Sequence, residues 1–133
     1  MALVIDASVL VSWFVPNQTS DYARRVARRV RVEDVVVPAI LEIEFANTML
    51  VLKRRRKLAH HTVEAALSRA ARLDFTVDRE PVAPRALFSL GERHGISAYD
   101  AAYLELATRR GLPLATRDGS LARAARATGF FLS

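Results

Sequence analysis

Four carboxylates stand out in the 133-residue chain: Asp6, Glu44, Asp100 and Asp118. Asp6 ends the apolar run Leu3-Val4-Ile5, and Glu44 lies within VVVPAILEIEFANTML. Asp100 sits near the start of SAYDAAYLELA, and Asp118 opens the pair Asp118-Gly119. Two carboxylates about 4 Å apart repel by roughly 4 kcal/mol at an effective dielectric near 20. Acids that converge therefore take up protons or a cation. An all-oxygen set with no sulfur ligand suits Mg²⁺ or Mn²⁺ rather than zinc. A cation held this way binds phosphate oxygens, lowers the pKa of a water and steadies a leaving oxygen. That is the chemistry of phosphoryl groups.

Each acid also has a structural role open to it. Asp6 can cap a helix beginning at Ala7. Asp100 follows Ser97 by three residues, the spacing of a capping box, where Glu or Gln is more usual. Asp118-Gly119 is an ordinary turn pair, and Asp118 can cap the helix after it. Glu44 shares a helical face with Ile40, Asn47, Thr48 and Val51, and an ionised carboxylate on such a stripe needs a partner. A salt bridge to an arginine is the structural alternative for Glu44. Glu42 falls on another face and is expected in solvent.

Whether the four meet depends on the elements that carry them. Leu3–Ile5 reads as a buried parallel strand, followed by a helix over Ser8–Phe14 that stops at Pro16-Asn17. Ser20 or Asp21 caps a second helix, Val35–Val37 forms a second strand, and a long helix runs from Ala39 to about Lys57. A helix over His60–Leu73, a weak strand at Phe75–Val77 and a helix over Val82–His94 come next. SAYDAAYLELATRR is helical up to Gly111, Leu112–Thr116 is a strand, Ser120–Thr128 a helix and Phe130–Leu132 a last short strand. Alternating buried strands and helices imply one α/β domain over residues 1–133, three-layered, with a twisted parallel sheet and helices on both faces. Ligands of such sheets bind beyond the carboxyl ends of the strands. That rule brings the four acids to one edge.

The totals bound what else is possible. The formal charge is +6, and of the 20 basic residues only Lys53 and Lys57 are lysines. A basic surface attracts phosphate backbones or an acidic partner. There is no cysteine, which excludes disulfides and thiolate chemistry and fits a reducing compartment. MALVIDASVL lacks the basic start and long apolar run of a signal peptide. No stretch approaches the roughly 18 apolar residues of a membrane span. A soluble, cytoplasmic protein with no membrane partner is expected.

GxxxxGK[ST] and GxGxxG are both absent, so nucleotide and dinucleotide binding lack support. No serine has a nucleophile-elbow context. His60, His61 and His94 read as exposed helix-end residues. The run Lys53-Arg54-Arg55-Arg56-Lys57 suits a helix C-terminus and is also a candidate contact for a nucleic-acid backbone. Arg24, Arg25, Arg28, Arg29 and Arg31 form a second basic cluster. Trp13, Phe14 and Tyr22 read as core or dimer contacts.

Taken in order, IDASVLVSWF, VVVPAILEIEFANTML, HGISAYDAAYLELA and GLPLATRDGSLARAARATG resemble the PIN-domain ribonucleases, and among them the VapC-type toxins of toxin–antitoxin pairs. The resemblance covers essentially the whole chain. It implies that Asp6, Glu44, Asp100 and Asp118 are the catalytic, metal-binding acids. Ser8, Asn47 and Thr116 match supporting positions. It further implies Mg²⁺- or Mn²⁺-dependent hydrolysis of RNA, an antitoxin partner that covers the acidic groove, and a homodimer or toxin–antitoxin hetero-oligomer. Two other readings stay open: an RNA-processing nuclease outside any toxin–antitoxin pair, and a catalytically silent binding module. A phosphorylated receiver module is disfavoured, because it needs a lysine after a late strand, where this chain has none.

Overall fold

Residues Met1–Ser133 are described by a computed structural model. Strand β1 (Ala2–Ile5) lies inside the sheet, and its Leu3, Val4 and Ile5 are wholly buried. It pairs in parallel with β2 (Asp34–Pro38) on one side and with β4 (Leu114–Ala115) on the other. Strand β3 (Phe75–Asp78) pairs in parallel with β2, giving the order β3-β2-β1-β4. Strands covered on both faces have no wet side to alternate toward, which is why β1 and β2 read as continuous apolar runs.

The crossovers are helical. α1 (Ala7–Ser12) and a 3-10 turn (Pro16–Gln18) lead to α2 (Asp21–Arg29). α3 (Ile40–Arg54) and α4 (His60–Ala71) connect β2 to β3. α5 (Pro84–His94) and α6 (Ala98–Arg110) precede β4, and α7 (Gly119–Thr128) follows it. The expected parallel α/β architecture is found. No helix is long and apolar enough to cross a membrane.

Several boundaries differ from expectation, each for a local reason. α3 stops at Arg54 and not near Lys57, because Arg56 takes a left-handed φ of 57° and the Lys57 and Leu58 N–H groups close back on the Leu52 carbonyl. α5 starts at Pro84, whose missing N–H suits a first-turn position, and not at Val82. The strand expected over Leu112–Thr116 shrinks to Leu114–Ala115, and the one at Phe130–Leu132 to a single parallel bridge between Phe131 and Leu114. Gly111 ends α6 with φ 65°, a backbone state that glycine enters without Cβ strain, and so turns the chain into β4.

α6 is the helix that the site leans on most. Tyr103, Leu104, Leu106 and Ala107 are buried in the central core. Near its C-terminus, Arg109 and Arg110 reach the Asp78 carboxylate at the end of β3, at 3.1 and 2.9 Å. Arg109 also pairs with Glu80 at 2.8 Å and Glu105 at 2.9 Å. The Asp78 side chain is only 4% exposed, so this cluster is a partly buried clamp rather than a solvated surface pair. The Arg109 hydrogen bonds, helped by Arg110, hold the Asp78 carboxyl below its ordinary value.

A carboxyl depressed in the folded state stabilises the fold above its unfolded pKa and loses that contribution as the pH falls through the folded value. Asp78→Ala should therefore lower unfolding free energy by about 2 kcal/mol at neutral pH. The difference from wild type should shrink below about pH 4. Urea unfolding across a pH series measures both.

Candidate active site

Asp6 follows the last residue of β1 and is 3% exposed. Its Oδ1 accepts the Val9 N–H at 3.1 Å, which caps α1, and the Ser8 hydroxyl at 2.6 Å. Its Oδ2 accepts the Thr116 hydroxyl at 2.5 Å, from the loop that leaves β4. Asp6 thus does cap a helix, yet it also receives a donor from 110 positions away, which capping does not require. The same hydroxyls hold that loop. Thr116 Oγ1 accepts the Asp118 N–H at 3.0 Å, and Ser8 Oγ accepts the Arg117 N–H at 2.9 Å.

Asp118 is exposed and caps α7, its Oδ1 accepting the Leu121 N–H at 2.9 Å. Its Oδ2 takes no protein donor. Asp100 lies in the first turn of α6. Ser97 Oγ accepts the Asp100 N–H at 3.1 Å, but the Asp100 carboxylate returns no bond to Ser97, so the box is only half formed. Glu44 is half-buried in the second turn of α3, and its Oε1 accepts the Tyr103 hydroxyl at 2.5 Å. The arginine salt bridge considered for Glu44 does not form. No lysine or arginine nitrogen lies within 4.0 Å of any of the four acids, although seven arginine–carboxylate pairs occur elsewhere. Glu42 is exposed and pairs with Arg79 at 3.0 Å.

The acids share one electrostatic field. Burial pushes the Asp6 carboxyl up, the Ser8, Thr116 and Val9 donors oppose it, and the charge of Asp118 adds to the rise. Asp100 is pushed up to about 6, first by burial and then by the negative charges of Asp118, Asp6 and Glu44. Its carboxyl therefore senses all three others. Burial, and then its bond to Glu44, drives the Tyr103 phenol up as well.

No three acids or histidines close into a ready-made cage for a metal ion. Mg²⁺ rarely needs one: it keeps several waters and binds through one or two carboxylates together with substrate phosphates. Oxygen donors alone, with free lone pairs and mutual repulsion unrelieved by any cation of the chain, fit such an ion. Asp6, Glu44, Asp100 and Asp118 are the residues that would hold it.

Beside Glu44 an open depression of 340 Å³ is lined by Ile40, Ile43, Asn47 and Tyr99. Asn47 thus lies beside Glu44, one turn further along α3. The Lys53–Lys57 run lies elsewhere. It is exposed around the far end of α3, with Lys53 about 14 Å along the helix axis from Glu44. Tyr103 is the functional residue that sequence reasoning missed. Its signal was a tyrosine three positions after Asp100 in an apolar helix, since a buried phenol needs an acceptor.

The PIN domain family model matches residues 3–127. The chain belongs to the PIN-domain family. Two relatives span nearly its whole length. Ribonuclease VapC3 of Pyrobaculum aerophilum is 30% identical over 124 residues, covering 92% of this chain and 93% of that protein. Ribonuclease VapC12 of Mycobacterium tuberculosis is 32% identical over 123 residues, covering 91% and 90%. FitAcB from Neisseria gonorrhoeae shares the fold, with a TM-score of 0.67 at 23% identity over 95% of this chain and 94% of that one.

The geometry sets expected outcomes for this PIN-domain protein. Without divalent metal, the Asp100 carboxyl should titrate near 6 by carbon-detected NMR, and Asp118→Asn should lower that value. Because the folded pKa is raised, the folded state is favoured by protonation, and stability should fall as the pH rises from about 4 to about 6. Tyr103→Phe, which strips Glu44 of its donor, should cost about 1 kcal/mol in denaturant unfolding.

Proposed function

We propose that this PIN-domain protein is a divalent-metal-dependent endoribonuclease toxin of the VapC type, held inactive by a cognate antitoxin. One observation carries the reading: four carboxylates in one electrostatic field, none neutralised by the chain's many arginines. The substrate class follows from likeness to proteins named ribonucleases and from the net charge of +6, which favours a polyanion.

In this reading Asp6, Glu44, Asp100 and Asp118 bind Mg²⁺ or Mn²⁺ and make up the catalytic set. When bound, the cation supplies positive charge at the scissile phosphate and acidifies a water. Every other contribution comes from the chain. Ser8 and Thr116 fix both oxygens of Asp6, so its carboxylate cannot rotate away. Tyr103 orients Glu44 and leaves Oε2 free. The second oxygen of Asp118 points away from its helix-capping duty and is available to ligand or water. Asn47 offers an amide at the rim for sugar or phosphate. The Lys53–Lys57 run contacts RNA at a distance from the cut.

An antitoxin segment would occupy the same acidic groove. Ile43, Leu50, Phe88 and Tyr99 are large apolar side chains left exposed, and they support a homodimer or hetero-oligomer that covers them. The cytoplasm is the proposed compartment, where RNA is present and a cysteine-free chain loses nothing.

The purified protein should cleave single-stranded RNA with Mg²⁺ or Mn²⁺ and stop on addition of EDTA. Asp6→Asn and Glu44→Gln should each lower kcat on the order of 100-fold or more, with circular dichroism unchanged. Full activity in EDTA, or in both variants, would reject the metal site.

A further inference from the structure

A second feature opens beside Thr116. It is a groove of 380 Å³ lined by Ser20, Tyr22, Thr116, Arg117, Arg126 and Phe131. It is joined to the acids through covalent neighbours and hydrogen bonds. Thr116 donates to Asp6, and the Arg117 N–H donates to Ser8, which itself donates to Asp6. Whatever occupies the groove is one residue away from the acid set.

The arginines of this chain sort into two kinds. Arg24, Arg29, Arg79, Arg109 and Arg110 each meet a carboxylate. The other thirteen, Arg117 and Arg126 among them, meet none, and these two are the ones that line the groove beside the acids. Arg126 instead lies over the Phe131 ring, 4.2 Å from its centroid. Phe131 stacks on Tyr22 with centroids 6.1 Å apart and planes at 6°, and Arg25 sits 5.6 Å over Tyr22. The Tyr22 hydroxyl donates to the Leu132 carbonyl at 2.6 Å, which anchors the stack. A guanidinium held by a ring face keeps its in-plane N–H donors unspent, and their fork matches the paired oxygens of a phosphate. Arg117 is exposed, and its side chain makes no bond within the fold.

We infer that this groove is the subsite that seats the RNA backbone beside the scissile bond, Arg117 and Arg126 each taking a phosphate next to the one that is cut. The inference rests on the ribonuclease reading above. It puts the main backbone contact here and not on Lys53–Lys57, which lies at the opposite end of α3 from the acids. The arrangement also answers an electrostatic difficulty. Four carboxylates repel a polyanion, and cations stationed one residue away offset that repulsion along the path of the strand.

The test uses a short fluorescein-labelled single-stranded RNA, with binding followed by anisotropy in EDTA across a salt series. Wild type is compared with Arg117→Gln, with the Arg117→Gln/Arg126→Ala pair, and with Arg54→Ala/Arg55→Ala. Each lost phosphate contact should reduce the magnitude of the slope of log K against log salt by about 0.7. The groove pair should lose about 1.4 and the α3 pair much less. In Mg²⁺ the groove variants should raise KM several-fold with kcat little changed, the signature of lost binding. Arg117→Gln decides the matter alone if the pair fails to fold.

Wild-type slopes in the groove variants, with loss confined to Arg54→Ala/Arg55→Ala, would overturn the subsite while RNA cleavage by wild type left the ribonuclease reading intact. Groove variants that bind RNA normally but lose a polyglutamate peptide would assign the groove to an acidic protein segment and overturn it as well. A wild-type protein that neither binds nor cuts RNA would sink both.

Discussion

The carboxylate of Asp6 is almost sealed from water, and it survives there because three donors from two separate parts of the chain close on it. Burial of an ionised group unaided is prohibitive. Hydrogen bonds to a charged acceptor return about 1.5–3 kcal/mol each, and Asp6 has the Val9 N–H and the hydroxyls of Ser8 and Thr116. This one group therefore couples the end of β1 to the loop after β4, the two neighbouring strands at the edge where the acids meet. Ser8 and Thr116 then accept the N–H groups of Arg117 and Asp118. The positions of Asp118 and of Arg117 both follow from how Asp6 is satisfied.

The remaining two acids arrive on helices, and a single helix governs both. α6 carries Asp100 in its first turn and, three residues on, Tyr103, whose hydroxyl grips Glu44 of α3. The direction of α6 is fixed by its apolar face in the core and by the Asp78–Arg109–Arg110 clamp near its other end. A rigid scaffold of this kind is what mutual repulsion demands. Carboxylates on mobile loops would drift apart until the field weakened, and Asp100 would then lose the part of its upward shift that its neighbours add to burial.

Much of this was legible from the residues. Continuous apolar runs at Leu3–Ile5 and Val35–Val37 signalled a parallel sheet, and the carboxyl-end rule then brought Asp6, Glu44, Asp100 and Asp118 to one edge. The structural reading of Asp6 and Asp118 holds, since each caps a helix with one oxygen, and capping by one oxygen is compatible with the role proposed for each. What escaped was pairing across long separations. Nothing local in Tyr103 names Glu44 as its acceptor, and nothing in the serial order of arginines tells which will find an acid. Nor does the run Lys53–Lys57 say by itself how far it lies from Glu44, about 14 Å along α3. The short strands failed for a related reason: Leu112–Thr116 has strand composition, but Thr116 turns to serve Asp6 and Pro113 has no N–H to give to a ladder.

Charge sorting is the deeper feature. With 20 basic residues against 14 acidic ones, a chain that simply maximised ion pairing would leave no carboxylate alone. This one keeps Asp6, Glu44, Asp100 and Asp118 out of reach of every guanidinium, although Arg117 is the sequence neighbour of Asp118. The geometry explains how. The Arg117 and Asp118 N–H groups are pinned by Ser8 and Thr116, while the Arg117 side chain lines the groove and the Asp118 side chain caps α7. The fold thus maintains, side by side, negative charge that the chain does not cancel and positive charge that it does not use. Such a separation costs stability in an empty protein, and under the proposed function a cation and a phosphate chain would offset that cost by filling the two halves together.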